Sequence, residues 1–227
     1  MCCAGVTLDR QWRRLFPIRF RHLSGDASFS RWDRISFTHR SPSRDTRAES
    51  CHVFEDSISK EGTLPAGERS RLLEPMILGS ASAATNAGMS LAIIRPRNTR
   101  FYWRAKKPGE LSLERDAYKR SAGQVSMFDD DLAALEPSPY HFRFRFDDDG
   151  GRHDYANGDW EAHAMFWRRR LHVGEAEALR EMSATFNDEY PRRGMAFAIG
   201  NQAKRPQVWQ LLGVIRLDPV AQAELPL

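Results

Sequence analysis

The 227-residue chain holds three cysteines, five lysines and no long apolar run, and each shortage removes a class of protein. Cys2, Cys3 and Cys51 are odd in number and show no metal-ligand spacing, so neither a disulfide framework nor a cysteine zinc site is expected. No stretch approaches the roughly 18 apolar residues of a spanning helix, which predicts a soluble chain with no membrane partner. The first residues lack a basic stretch followed by an apolar one, the pattern of a secretory leader, so a reducing cytoplasm is the expected compartment. There is no Gly-x-x-x-x-Gly-Lys and no Gly-x-Ser-x-Gly, and with them go the usual signatures of nucleotide hydrolysis and acyl transfer. Cys51 and His52 are neighbours, but neighbours on a strand point to opposite faces and make a poor nucleophile and base. No cofactor is expected.

Arginine is what the chain has in quantity: 29 against five lysines. Two explanations stay open, selection for bidentate phosphate contacts and the coding bias of a high-GC genome. The net charge of +4 is small for 64 charged groups and by itself does not select a polyanionic partner. Its distribution says more, because residues 1–50 hold ten arginines and no lysine against five acidic residues, whereas 128–163 are rich in acid, with Asp129, Asp130, Asp131, Asp147, Asp148 and Asp149. At 41% hydrophobic and 28% charged the composition is globular, and the length suffices for one large domain or two small ones.

The run Tyr140, His141, Phe142, Arg143, Phe144, Arg145, Phe146 sorts four aromatics onto one strand face and a histidine with two arginines onto the other. Before it, strands are predicted over residues 2–6, 12–20, 31–38 and 91–95, and over 101–104, where aromatics on both faces mean either burial on two sides or an exposed stacking platform. A strand beginning almost at Met1 suggests that a longer protein precedes this start. Residues 39–50 read as a loop or mobile arm, 65–76 as a short helix beginning at Pro65, and 79–90 as unstructured. After the aromatic strand, Asp159 is placed to cap a helix from Trp160 to about His172 with an apolar stripe of Trp160, Ala164, Trp167 and Leu171. Gly174 ends it, a second helix runs from Glu175 to Asn187 with Ala178, Leu179, Met182 and Phe186 inward, and 195–199 with 208–217 form a closing hairpin. The domain reading is a β-rich basic region over 1–105, a linker or irregular connection over 106–138, and an α+β region over 139–227, with one continuous domain as the alternative.

Three constellations are candidates for function. Residues 147–163 pack Asp147, Asp148, Asp149, His153, Asp154, Asp159, Glu161 and His163 into a short span, which suits a metal or an acid–base pair. The alternative enzyme reading is therefore a metal-dependent nuclease or phosphodiesterase, with His153, Asp154 and Glu161 catalytic and Asp147, His153, Asp154, Asp159 and His163 as ligands. The plain reading is a solvated turn followed by a helix cap, since no metal-loop spacing is met. The second constellation interleaves arginine with aromatics, centred on Arg10, Trp12, Arg13, Arg14, Arg19, Trp32 and Arg34 and including Phe16, Arg21, Phe29, Arg31, Arg40, Arg44 and Arg47. Arginines on a β surface neutralise phosphates and aromatic faces stack unpaired bases, so these residues form the predicted nucleic-acid contact, against an ordinary half-buried sheet. The third is the hairpin tip Gly200–Pro206 with Lys204 and Arg205, a phosphate contact or a solvated turn.

Cys3-Ala4-Gly5-Val6 followed by Trp12-Arg13-Arg14-Leu15-Phe16-Pro17-Ile18 resembles the opening of poorly characterised prokaryotic proteins described as dual OB-like, in which a Cys-x-Ala-Gly strand precedes a Trp-x-Arg-Pro element. Leu15 and Phe16 interrupt that element here, and the likeness spans a small part of the chain. The resemblance implies a pair of small β-barrels or barrel-like sheets and carries over no catalytic residue. The fold expected is α+β, with a strand-rich, barrel-like or OB-like N-terminal half and a C-terminal unit of strand, two helices and β-hairpin. The expected function is non-catalytic binding of DNA or RNA; a protein partner docking on an exposed aromatic sheet is a third reading.

Overall fold

Strand residues that are apolar at every position are expected where a sheet is covered on both sides, and Leu91-Ala92-Ile93-Ile94 is such a run. In the computed structural model, which describes residues 3–20, 22–43, 45–123 and 136–218, all four are buried. Cys2, Arg21, Arg44 and Asp129 to Asp131 lie outside the described residues.

The chain runs β1 (Cys3–Val6), β2 (Trp12–Phe16), β3 (Asp33–Ser36), β4 (His39–Arg40), β5 (Ser50–Val53), β6 (Ser59–Thr63), α1 (Ala66–Leu73), β7 (Ile77–Leu78), α2 (Ala81–Asn86), β8 (Leu91–Ile94), β9 (Arg97–Ala105) and α3 (Pro108–Gly123). It continues with β10 (Tyr140–Asp148), β11 (Gly151–Ala156), α4 (Trp160–Val173), α5 (Glu175–Ala184), a π turn over Thr185–Glu189, α6 (Tyr190–Arg192), β12 (Met195–Gln202) and β13 (Arg205–Arg216). The sheets are β13-β12-β8-β7, β11-β10-β9, β1-β2-β5-β4 and the pair β3-β6. The protein is thus α+β, but none of these sheets closes into a barrel.

The β13-β12-β8-β7 sheet is the central layer, and its period of two divides the core. Ala92 and Ile94 of β8 with Met195, Phe197 and Ile199 of β12 face a large core made with Phe101, Phe142, Phe144, Phe146, Phe166 and Met182. Leu91 and Ile93 with Ala196 and Ala198 face the other way, against Trp12, Leu73 and Leu217. The N-terminal sheets keep a smaller core of their own around Leu15, Ile18, Cys51, Val53 and Ile58. Each fully buried phenylalanine of β10 contributes about 1.5–3 kcal/mol of transfer free energy.

Several local expectations change. The stretch 79–90 contains a helix, because Ser80 caps α2 by accepting from the Ala83 amide at 3.0 Å and its alanines are small enough to lie against the central sheet. Residues 108–123 form one helix rather than weak patches. The 39–50 segment is tied down at its end: Arg47 pairs with Asp45 at 2.6 Å and donates to the Asn201 carbonyl at 3.2 Å. In α4 the buried residues are Ala162 and Phe166, while Trp160 and Leu171 are exposed, so the inward face is rotated from the expected stripe. The stripe of Ala178, Leu179 and Met182 on α5 and Phe186 in the π turn is buried as its spacing predicts, although α5 itself ends at Ala184 rather than Asn187. The closing hairpin is longer than expected, with only Ala203 and Lys204 between its strands.

The π turn after α5 places Asn187 beside β9, the edge of its sheet. Asn187 Oδ1 accepts from the Phe101 amide at 2.6 Å and Nδ2 donates to the Phe101 carbonyl at 3.2 Å, so a side-chain amide pairs with the strand as another strand would. Asn187→Ala leaves both backbone groups without their partner and is expected to lower stability by about 1–3 kcal/mol, read as a reduced urea midpoint. An unchanged midpoint would show that water replaces the amide.

Candidate nucleic-acid interface

The outer face of β9-β10-β11 follows directly from strand alternation: with Phe142, Phe144 and Phe146 inward, His141, Arg143, Arg145 and Asp147 must point out. Antiparallel register extends the pattern across the sheet in four rows. Arg104 is opposite His141; Tyr102, Arg143 and Ala156 share a row; so do Arg100, Arg145 and Asp154; and Arg97, Asp147 and Arg152. Arg97, Arg100, Arg104, Arg145 and Arg152 are exposed and Arg143 is half-buried. The Arg145 and Arg104 guanidinium carbons lie 4.9 and 5.6 Å from the Tyr102 ring centre. Asp154 anchors the middle of the face, receiving the Tyr102 hydroxyl at 2.6 Å, Arg143 Nε at 2.8 Å and Arg145 Nε at 3.3 Å. Partial burial opposes its ionisation, yet these donors hold its carboxyl below the usual range. Asp147 is also held low, chiefly by the Asn98 amide at 2.8 Å.

The acidic and histidine residues that suggested a metal site are separated by the same alternation. His153 points inward from β11, 2.8 Å from Asp148 and with its ring 5.1 Å from that of Phe146, whereas Asp154 points outward. Asp148 is buried and also receives the amides of Gly150 and Ala81 at 2.7 and 3.3 Å. Asp149 pairs with Arg97 at 2.7 Å. Asp159 caps α4, as predicted, and does more: it receives the amides of Glu161 and Val214, each at 2.9 Å, and Arg31 at 3.1 Å. Glu161 pairs with Arg31 Nε at 2.9 Å. His163 packs edge-on to Phe142, ring centres 5.2 Å apart. Among the described residues no three His, Cys, Asp or Glu side chains gather as a cation site.

The N-terminal set is also dispersed. Trp12 is buried between β2 and the central sheet, so its ring is not offered to a base. Arg14 donates to the Ser90 carbonyl and hydroxyl, both at 3.1 Å, and Arg19 to Glu55 at 2.7 Å. Arg13 donates to the Trp12 carbonyl at 2.9 Å, and Trp32 is half-buried with the Arg69 guanidinium 4.8 Å from its ring. Arg10 is exposed in the turn between β1 and β2, and Arg34 is exposed on β3, which belongs to a different sheet. Cys51 is buried, which pushes its thiol pKa up and leaves it unreactive. At the hairpin tip Lys204 and Arg205 are exposed and Asn201 is buried.

The fold and this face define an α+β protein with open sheets and an arginine-patterned outer surface. By sequence, the chain belongs to the family described as Domain of unknown function (DUF8757), matched over residues 76–226. Residues 1–77 match a second family, Domain of unknown function (DUF8758). No curated protein and no solved structure matches the chain. The two matches meet at β7, and the residues on either side of that junction share the core around Trp12, Leu73 and Ile93.

Two outcomes follow from the geometry. Asp159→Ala removes a buried carboxylate with three sets of donors and is expected to cost about 3–5 kcal/mol in chemical denaturation. Arg31→Ala, from the more exposed partner, is expected to cost less, and equal losses would deny Asp159 its wider role. Burial pushes the His163 pKa below its ordinary value, helped by nearby Lys106. The unfolded chain then binds the extra proton first, so this contribution is intact above about pH 6.5 and is lost as pH falls toward the folded-state value. His163→Gln should flatten that part of the stability profile; a parallel profile would show that other groups set it.

Proposed function

We propose that this protein binds nucleic acid, without catalysis and in the cytoplasm, through the outer face of β9-β10-β11. The observation that carries the reading is the four-row grid in which six arginines surround one half-buried tyrosine. Arginine forks neutralise phosphates, and a sheet face with an aromatic at its centre suits unpaired bases better than the edges of a duplex. Asp154 supports the arrangement by fixing the directions of Arg143 and Arg145 rather than by contacting the strand. The N-terminal arginines that first suggested this function are mostly engaged in holding the fold, so the contact is assigned to the C-terminal sheet instead.

Fluorescence anisotropy of labelled single-stranded and duplex DNA and RNA over a salt series tests the reading. Single strands are expected to bind more tightly than duplexes, with affinity falling steeply as salt rises. The double variant Arg100→Ser with Arg104→Ser should reduce the log–log salt slope by about 1.4 for a single strand, two phosphate contacts at ~0.7 each. Tyr102→Ala should weaken binding by about 1–3 kcal/mol for one stacked base. Absence of salt-sensitive binding, or an unchanged slope in the double variant, would remove this face from the function.

A further inference from the structure

Where the turn before β3 and helix α1 meet α4, α6 and β13 there is a cavity of about 270 Å³, lined by Arg31, Trp32, Arg69, Glu161, Tyr190 and Arg216. We infer that this cavity is a binding site for a small phosphorylated molecule, separate from the sheet face proposed above. Its volume lies just under the roughly 300–1,000 Å³ of pockets that take drug-sized ligands, so it suits a compact anion.

The charge arrangement selects the ligand. Arg31 is anchored through its terminal nitrogens by buried Asp159 and the Val214 carbonyl, whereas among the described residues its Nε pairs with Glu161, whose side chain is 52% exposed. Arg216 pairs with Asp218, 53% exposed, and with Glu189 at 3.6 Å. Arg69 has no acidic partner among the described residues; its Nε donates to the Leu64 carbonyl at 3.3 Å and its guanidinium lies over Trp32. Arg69 therefore keeps its two terminal nitrogens without an acidic partner, while Arg31 Nε and Arg216 are paired with exposed carboxylates that can swing to solvent when a better acceptor arrives. A carboxylate ligand satisfies one fork, whereas the three terminal oxygens of a phosphate monoester can take donors from three sides. Trp32 itself has φ of 76°. A bulky residue in that region is strained, and such strain is held in place where the surroundings fix a side chain for a purpose. Here they set the indole as the floor beneath Arg69.

Titration of the full chain with inorganic phosphate and with pyrophosphate at constant ionic strength, followed by calorimetry and intrinsic tryptophan fluorescence, tests the site. Saturable binding is expected, with a fluorescence change that disappears in Trp32→Phe. Arg69→Gln should weaken phosphate at least tenfold, and Glu161→Gln should tighten it severalfold because the competing carboxylate is gone. The opposite signs of these two effects separate a built site from general anion attraction or loss of fold. No saturable binding of either anion, a fluorescence change that survives in Trp32→Phe, or weakening in both Arg69→Gln and Glu161→Gln would overturn the inference.

Discussion

The carboxylate of Asp159 is where three separate parts of the chain are tied together. It accepts from the first turn of α4, from the Val214 amide of β13 and from Arg31, which itself donates to the Val214 carbonyl at 2.7 Å. A buried carboxylate without donors carries a heavy desolvation cost, so these partners are required once Asp159 is inside. Next to it, a side chain on Gly158 would meet the Leu211 carbonyl at 3.0 Å, and the Gly158 amide donates to that same oxygen at 2.9 Å. Helix, sheet and N-terminal segment are thus held in register by one charged group and the close backbone approach beside it. The two family segments are joined through this group as well as through their shared apolar core.

The central sheet explains why the chain organises in layers. Because β8 and β12 are apolar at almost every position, neither face can be left in water, and the two cores follow from covering both. One cover is the β9-β10-β11 sheet with α4 and α5; the other is Trp12, α1 and Leu217, just after β13. The first cover has the polar outer face from which the proposed function derives, so core and interface are two sides of one alternating pattern.

Periodic segments were legible in the sequence for that reason. Tyr140–Phe146 and the α5 stripe each repeat with the period of their element, and both pack as read. The face of α4 was misread because it carries more apolar residues than it buries: the spacing of Trp160, Ala164, Trp167 and Leu171 matches a helix, but Ala162 and Phe166 fit against β10. The acidic cluster looked compact only along the chain, since alternation sends His153 and Asp154 to opposite faces and Asp159 is claimed by residues 128 and 55 positions away. No local pattern announces such partners. The basic grid was half visible: the strand beginning at Tyr140 showed its arginines, but the rows they form with Arg100 and Tyr102 depend on a register that sequence does not state. The seam cavity had no signal at all, because its residues come from turns, helices and strand ends across the whole chain.

The Asn187 amide on Phe101 bears on how the molecule behaves in a crowd. An unpaired strand edge is a template on which another copy can add its own strand, the first step toward aggregation. Here the donor and acceptor of Phe101, near the middle of β9, are already occupied by a side chain fixed within a helical turn. An incoming chain would have to unwind that turn before it could continue the ladder. One asparagine thus interrupts the longest edge of a three-stranded sheet and works against growth of the protein into fibres.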